Sequence, residues 1–132
     1  MADYTDYPFR EICRRFGADF TFTEMISVDS IIRENEKVEK MLPQKDEANI
    51  GVQLFGNDAT KFVEEAKAVQ SLASWIDINA ACPVNKVVKK GSGAALLKNP
   101  KLLGDIVFTL KKSIDLPVGV TVSYTHLTLP TT

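Results

Sequence analysis

Residues 77–93 read DINAACPVNKVVKKGSG, and the run that leads into them, Ser74-Trp75-Ile76-Asp77-Ile78, overlaps their start and has the composition of a strand. Together they place a carboxamide, Asn79, and a thiol, Cys82, just past a strand end. Pro83 follows, and its fixed φ and missing N–H forbid a simple continuation of strand or helix. Lys86, Lys89, Lys90, Lys98 and Lys101 crowd this loop and the helix after it, with no Asp or Glu between Asp77 and Asp105. A thiol in a positive field at the mouth of a strand suits chemistry on an anionic partner. The same residues also fit a basic surface loop with an incidental cysteine, since most loops carry no function even though function concentrates in loops.

Outward from this stretch, the chain alternates between periods. Thr5-Asp6-Tyr7-Pro8 reads as a helix start with a hydroxyl cap, and Phe9, Ile12, Cys13 and Phe16 follow at helical spacing until Gly17. That spacing turns Cys13 toward a core, as a small buried hydrophobe. Residues 20–25 read as a strand, 27–33 as a short helix, and 35–47 as a charged connector broken by Pro43, its charges facing solvent. Residues 50–55, IGVQLF, form a nearly continuous apolar strand of the kind buried on both faces. Gln53 interrupts it, and a buried amide without partners costs about 1–3 kcal/mol.

Asn57 or Asp58 caps the next helix, whose buried side is Phe62, Val63, Ala66, Val69 and Leu72. Beyond the lysine-rich loop, Asn99-Pro100 opens another helix with Leu102, Leu103, Ile106, Val107, Leu110 and Ile114 inward. Pro117-Val118-Gly119-Val120 begins a further strand. Strand and helix alternate with short connections, which means a parallel α/β sheet with crossover helices. A doubly wound sheet and a (β/α)8 barrel both fit. No G-x-G-x-x-G motif follows the first strand, and the GSG at 91–93 lacks the Lys of a phosphate-binding P-loop.

Composition narrows the function classes. The chain has 132 residues, 45% hydrophobic and 25% charged, with a net charge of −1. These are the proportions of a globular domain, and any nucleic-acid contact must come from a local basic patch. No apolar run is long enough to cross a bilayer, and the first residues are not those of a secretory signal. Two cysteines at 13 and 82 then read as reduced thiols of a cytoplasmic protein, and a single His at 126 builds no metal site.

The last residues break the pattern. From Val122 the chain reads VSYTHLTLPTT, without acidic or basic side chains other than His126. It resembles the in-frame translation of a sequencing-library adaptor, so 122–132 read as a non-native tail and 1–121 as the native part. His126 then has no catalytic standing.

Four segments carry a resemblance: MADYTD at 1–6, TEM at 23–25, QLFG at 53–56, and the long run from Asp77 to Leu97, D-I-N-x-x-C-P-V-x-K-V-V-K-x-G-x-G-x-x-L-L. Together they resemble the tRNA-dihydrouridine synthases, over nearly all of residues 1–121. The resemblance implies an FMN-binding TIM (β/α)8 barrel, here its N-terminal portion, ending after about strand five. It implies NADPH as reductant and reduction of uridine to 5,6-dihydrouridine in tRNA. It also implies a monomer when full length, with no membrane or metal partner. By motif, Met1 and Ala2 lie along the flavin through their backbone, Gln53 bonds the flavin's pyrimidine edge, and Asn79 helps hold flavin or base. Cys82 is the proton donor, and Lys86, Lys89 and Lys90 face tRNA phosphates.

Two departures stand out. Ala81 replaces the Gly that precedes the cysteine in the family, and Thr121 stands where a strand-five Lys is expected. The Lys is read as lost at the junction with the tail. The family's strand-six His and the flavin phosphate loops lie beyond this chain. Two rival readings keep some of the same residues. An FMN oxidoreductase acting on a free pyrimidine needs the acid but no basic rim. A non-catalytic RNA-binding module needs the lysines but not Gln53, Asn79 and Cys82 together.

Overall fold

The structure is a computed structural model that describes residues 4–30 and 36–123. Its elements, in chain order, are α1 (Tyr7–Arg15), β1 (Thr21–Phe22), β2 (Ile26–Ser27), α2 (Glu36–Glu39), β3 (Ile50–Phe55), α3 (Ala59–Val69), β4 (Trp75–Ala80), α4 (Asn85–Val88), α5 (Pro100–Ser113) and β5 (Val118–Val122). A 3-10 helix, Gly93–Lys98, lies between α4 and α5.

All strand pairs are parallel, and the order β1-β3-β4-β5 follows the chain, with β2 continuing along β3. Each strand neighbours the next without reversal. A doubly wound sheet reverses its order at a switch point, whereas a (β/α)8 barrel winds in one direction. The sheet is therefore an arc of a TIM barrel. The helices α3 and α5 pack against each other and share one core with the sheet. Val52, Leu54, Ile76, Ile78 and Ala80 point into that core from β3 and β4, opposite Phe62, Ala66, Ile106 and Leu110 of the helices. Full burial of each Val, Leu, Ile or Phe among them contributes roughly 1.5–3 kcal/mol.

The other sheet face is built in levels fixed by the register. Phe22, Gly51 and Trp75 share one level; Gln53, Asp77 and Gly119 the next; Asn79 and Thr121 the last. A Cβ at Gly51 would stand 2.4 Å from the Trp75 indole, so the glycine makes room for the ring. Phe20 and Phe22 meet Trp75 edge-on, at centroid distances of 5.7 and 5.2 Å. β1 and β2 are one strand with a bulge: the chain takes five steps from Thr21 to Ile26, but only four between their partners Ile50 and Leu54.

Several sequence expectations are corrected. Asp6, not Thr5, caps α1, accepting from the Phe9 N–H at 3.1 Å. The stop at Gly17 holds, with φ at +95° and the Ala18 N–H returning to the Cys13 carbonyl. The apolar stripe of α1 does not enter the core: Phe16 is 89% exposed, and Phe9 and Ile12 are also exposed. Phe9 and the half-buried Cys13 instead border a cavity of about 450 Å³ along the edge of β1. Arg10 is the buried residue, because its guanidinium grips Glu47 through Nε at 2.8 Å and Nη2 at 2.7 Å. Glu47 thus contradicts the expectation that the 35–47 charges all face solvent. The connector also holds α2, with Val38 in the core.

Ser27 belongs to β2, and Val28–Ser30 form a turn, not the start of a helix; residues 31–33 lie outside the described residues. The cap of α3 is Asp58, and Asn99 caps α5 as expected. Val122, assigned to the tail, pairs with Ala80 in β5. His126 and the rest of that tail from residue 124, like Met1 and Ala2, lie outside the described residues.

Candidate active site

Gln53 and Asn79 come together from adjacent strands because their side chains share one sheet face. Asn79 Nδ2 donates to Gln53 Oε1 at 2.9 Å, and Gln53 Nε2 donates to Asp77 Oδ2 at 2.7 Å. Thr121 Oγ1 donates to the same carboxylate oxygen at 2.7 Å and lies 3.4 Å from Gln53 Nε2. Thr23, in the bulge, accepts from the Gln53 backbone N–H at 3.1 Å. The half-buried amide of Gln53 therefore has its partners within the chain.

The chain of bonds leads on to Cys82. Asn79 Oδ1 accepts from the N–H of Ala81 at 3.1 Å and of Cys82 at 2.9 Å, an Asx turn that bends the backbone off the end of β4. On the other side, the Cys82 carbonyl accepts from the Ala94 N–H at 3.0 Å. Gly93 sits at φ +60°, and a Cβ there would stand 2.7 Å from the Cys82 oxygen. Only glycine lets the 91–94 turn close on the cysteine in this way. Cys82 itself is half-buried. Thus Gln53, Asn79 and Cys82 form one connected group, at the carboxyl ends of β3 and β4, where barrel enzymes carry their chemistry.

Asp77 was not foreseen as part of this group, nor were Thr23 and Thr121. Asp77 is 3% exposed, and burial pushes its carboxyl up from its ordinary value against the opposing pull of the Thr121 and Gln53 donors. A Cβ at Gly119 would stand 3.0 Å from Asp77 Oδ1, so Gly119 leaves space for the carboxylate. The signal in the sequence was the period-two placement of Asp77 and Asn79 on one face of a strand, two residues apart. Thr121 occupies the position where a Lys was expected, and its hydroxyl serves Asp77. The 450 Å³ cavity reaches Gln53 and Thr121 but not Asn79 or Cys82, so it adjoins the group without being its centre.

The loops around the group are tied together. Asn57 Nδ2, after β3, donates to the Lys90 carbonyl at 2.7 Å. Lys61 pairs with Asp29 at 2.7 Å and holds the Asp29 carboxyl below its ordinary value, with Lys90 adding to the effect. Lys86, Lys89 and Lys90 are exposed on and beside α4. Lys101 pairs with Asp105, whereas among the described residues no salt bridge engages Lys86, Lys89, Lys90 or Lys98. The result is a positive rim beside a buried polar chain that ends at a thiol.

An arc of parallel strands with a polar group at their carboxyl ends is the layout of a TIM-barrel domain. The family model for dihydrouridine synthase matches residues 1–125, and the chain belongs to that family. Among curated relatives, it is 38% identical over 120 residues to the tRNA-dihydrouridine synthase B of Pseudomonas syringae, covering 89% of this chain and 36% of the relative. It is 41% identical over 120 residues to the tRNA-dihydrouridine synthase B of Pasteurella multocida, again covering 89% and 36%. A probable tRNA-dihydrouridine synthase of Treponema pallidum is 34% identical over 128 residues, covering 92% of this chain and 38% of the relative. The chain thus spans little more than a third of the length of these relatives, and its sheet is the N-terminal portion of the barrel. Among the described residues no helix is long and apolar enough to cross a membrane.

Proposed function

We propose that residues 1–121 are the N-terminal part of an FMN- and NADPH-dependent tRNA-dihydrouridine synthase of the cytoplasm, with 122–132 a non-native tail. The full-length protein reduces uridine in tRNA to 5,6-dihydrouridine. The observation that carries this reading is the bonded run Gln53–Asn79–Cys82 beside a rim of exposed lysines.

The residues present suit a flavin. After their mutual bond, Gln53 Oε1 keeps an acceptor lone pair and Asn79 Nδ2 keeps a donor hydrogen. That pairing matches the mixed donors and acceptors of a flavin's pyrimidine edge. Met1 and Ala2 would add backbone contacts. FMN, when bound, supplies the hydride chemistry, with NADPH as its source of electrons.

The chain's own residues do the rest. Cys82 holds the proton that goes to C5 of the uracil as C6 is reduced. Its thiol carries a transferable proton, as a positioned general acid must. The Asx turn and the Ala94 N–H hold the cysteine backbone on both sides, so the proton is presented from a fixed position. Lys86, Lys89 and Lys90 meet the tRNA phosphates and leave the uridine to be drawn out of its stack.

The lysine rim weighs against a free-pyrimidine oxidoreductase, and the buried polar chain against a module that only binds RNA. The full-length protein should purify with a flavin spectrum and convert unmodified tRNA to dihydrouridine-containing tRNA when given NADPH. A colourless protein that binds tRNA would return the RNA-binding reading. A flavoprotein that reduces free uracil but not tRNA would return the other.

A further inference from the structure

We propose that Asp77 is a positioning residue: its carboxylate anchors the Gln53–Asn79 carboxamide chain and thereby fixes the seat of the Cys82 thiol. The inference deepens the reading of Cys82 as the proton donor and rests on it for its catalytic meaning. Its geometry stands without it.

The two ends of the chain have unlike chemistry. At one end Asp77, when ionised, has acceptors only. At the other, the N–H groups of Ala81 and Cys82 are donors only. Two carboxamides in series join them. Gln53 must turn Nε2 to Asp77, which leaves Oε1 for Asn79 Nδ2, which leaves Asn79 Oδ1 for the loop. Reversing Gln53 would set its carbonyl oxygen against Asp77 Oδ2 at the 2.7 Å now spanned by a hydrogen bond. Reversing Asn79 would set its NH2 against two backbone N–H groups. Both ends demand the same polarity, so one arrangement is selected.

Asp77 is itself held in place. In this chain Thr121 Oγ1 bonds the same oxygen, and the other oxygen lies close to Gly119, where an added Cβ would stand 3.0 Å from it. Thus three strands fix the anchor. In this chain no salt bridge among the described residues engages Asp77, and a buried carboxylate without a counter-ion costs free energy, so stability alone is a poor reason for it. Its bonds lead through two amides to the loop that carries the thiol.

The test is alkylation of Cys82 by iodoacetamide in the full-length protein, followed peptide by peptide, with Cys13 as internal reference. It needs neither flavin turnover nor tRNA, so its failure is distinct from failure of the synthase reading. Asp77→Leu removes the acceptor and should speed Cys82 alkylation about fivefold, the factor carried by one missing hydrogen bond, with Cys13 unchanged. Asp77→Asn keeps an acceptor oxygen and should restore the rate to within about twofold. In an Asn79→Ala background, Asp77→Leu should add nothing, because the link is already cut. If Asp77→Leu does not fold, Asp77→Ser, whose short hydroxyl cannot span the gap, takes its place. An unchanged Cys82 rate overturns the proposal. So does a rise shared equally by Cys13, no rescue by Asn, or an effect that persists without Asn79.

Discussion

The carbonyl oxygen of the Asn79 side chain lies 2.9 Å from the backbone nitrogen of Cys82. A strand residue thus determines where a loop thiol sits. The bond links the sheet, whose register is set by its core, to a loop that would otherwise be free to move. The other contacts at this end of the sheet reinforce that link, and their removal has measurable consequences.

Gly93 makes one of them. Gly93→Ala places a Cβ at a left-handed φ and 2.7 Å from the Cys82 carbonyl. The change should cost about 1–3 kcal/mol in urea denaturation of the full-length protein. Gly104→Ala is the contrasting case, since nothing lies within 4 Å of that position on α5. It should stabilise the protein by about 0.5–1 kcal/mol. Equal effects of the two changes would contradict the close approach.

Arg10 and Glu47 form a buried pair, at 1% and 0% side-chain exposure, which ties α1 to the connector before β3. Glu47→Gln leaves a buried guanidinium with one partner fewer and should destabilise by about 3–5 kcal/mol. Lys101→Ala, at an exposed pair on α5, should cost no more than about 0.5 kcal/mol. Thermal and urea denaturation of both variants would check this.

Asp77 should make stability fall with pH. Burial raises its native value above the ordinary 3.8, so the native state holds the proton more tightly than the unfolded chain does. Stability from this group is fully present below the ordinary value and is lost as pH rises through the raised native one. The stability of wild type minus Asp77→Asn should therefore decline above about pH 4 and level off once the native carboxyl is ionised. A difference that rises over that range would contradict the burial effect.

Much of this architecture was legible in the residues. β3, β4, α3 and α5 announced themselves because each has a single strong period and a clear punctuating residue: the cap Asp58, Asn99 before Pro100, or the apolar run IGVQLF. The stripe Phe9–Ile12–Cys13–Phe16 has an equally clean period, yet it borders a cavity, because spacing shows which residues share a face but not what covers it. Glu47 looked like one more connector charge; only its distance to Arg10, 37 residues away in sequence, makes it a core group. At the site, Gln53, Asn79 and Cys82 stood out by chemistry. Asp77 did not, since its role depends on the register that sets β3, β4 and β5 side by side.

The lysine rim should act through phosphates. Replacing Lys89 and Lys90 by Ala in the full-length protein should weaken tRNA binding and flatten its salt dependence by about one unit of slope for each phosphate left without its lysine. Flavin content should stay the same. A salt slope at the wild-type value would make the rim a solvated surface only.

In the proposed mechanism Cys82 delivers the proton at uracil C5 and neither holds the flavin nor receives electrons from NADPH. The measurement that tests it most directly is anaerobic single-turnover reoxidation of the NADPH-reduced full-length protein by unmodified tRNA. Cys82→Ala should retain FMN and be reduced by NADPH, but its reoxidation should slow by about 10²-fold or more, the usual effect of removing a positioned acid. Cys13→Ala, altered on α1 and outside the bonded Gln53–Asn79–Cys82 group, should reoxidise at nearly the wild-type rate. Equal rates for wild type and Cys82→Ala would contradict the account.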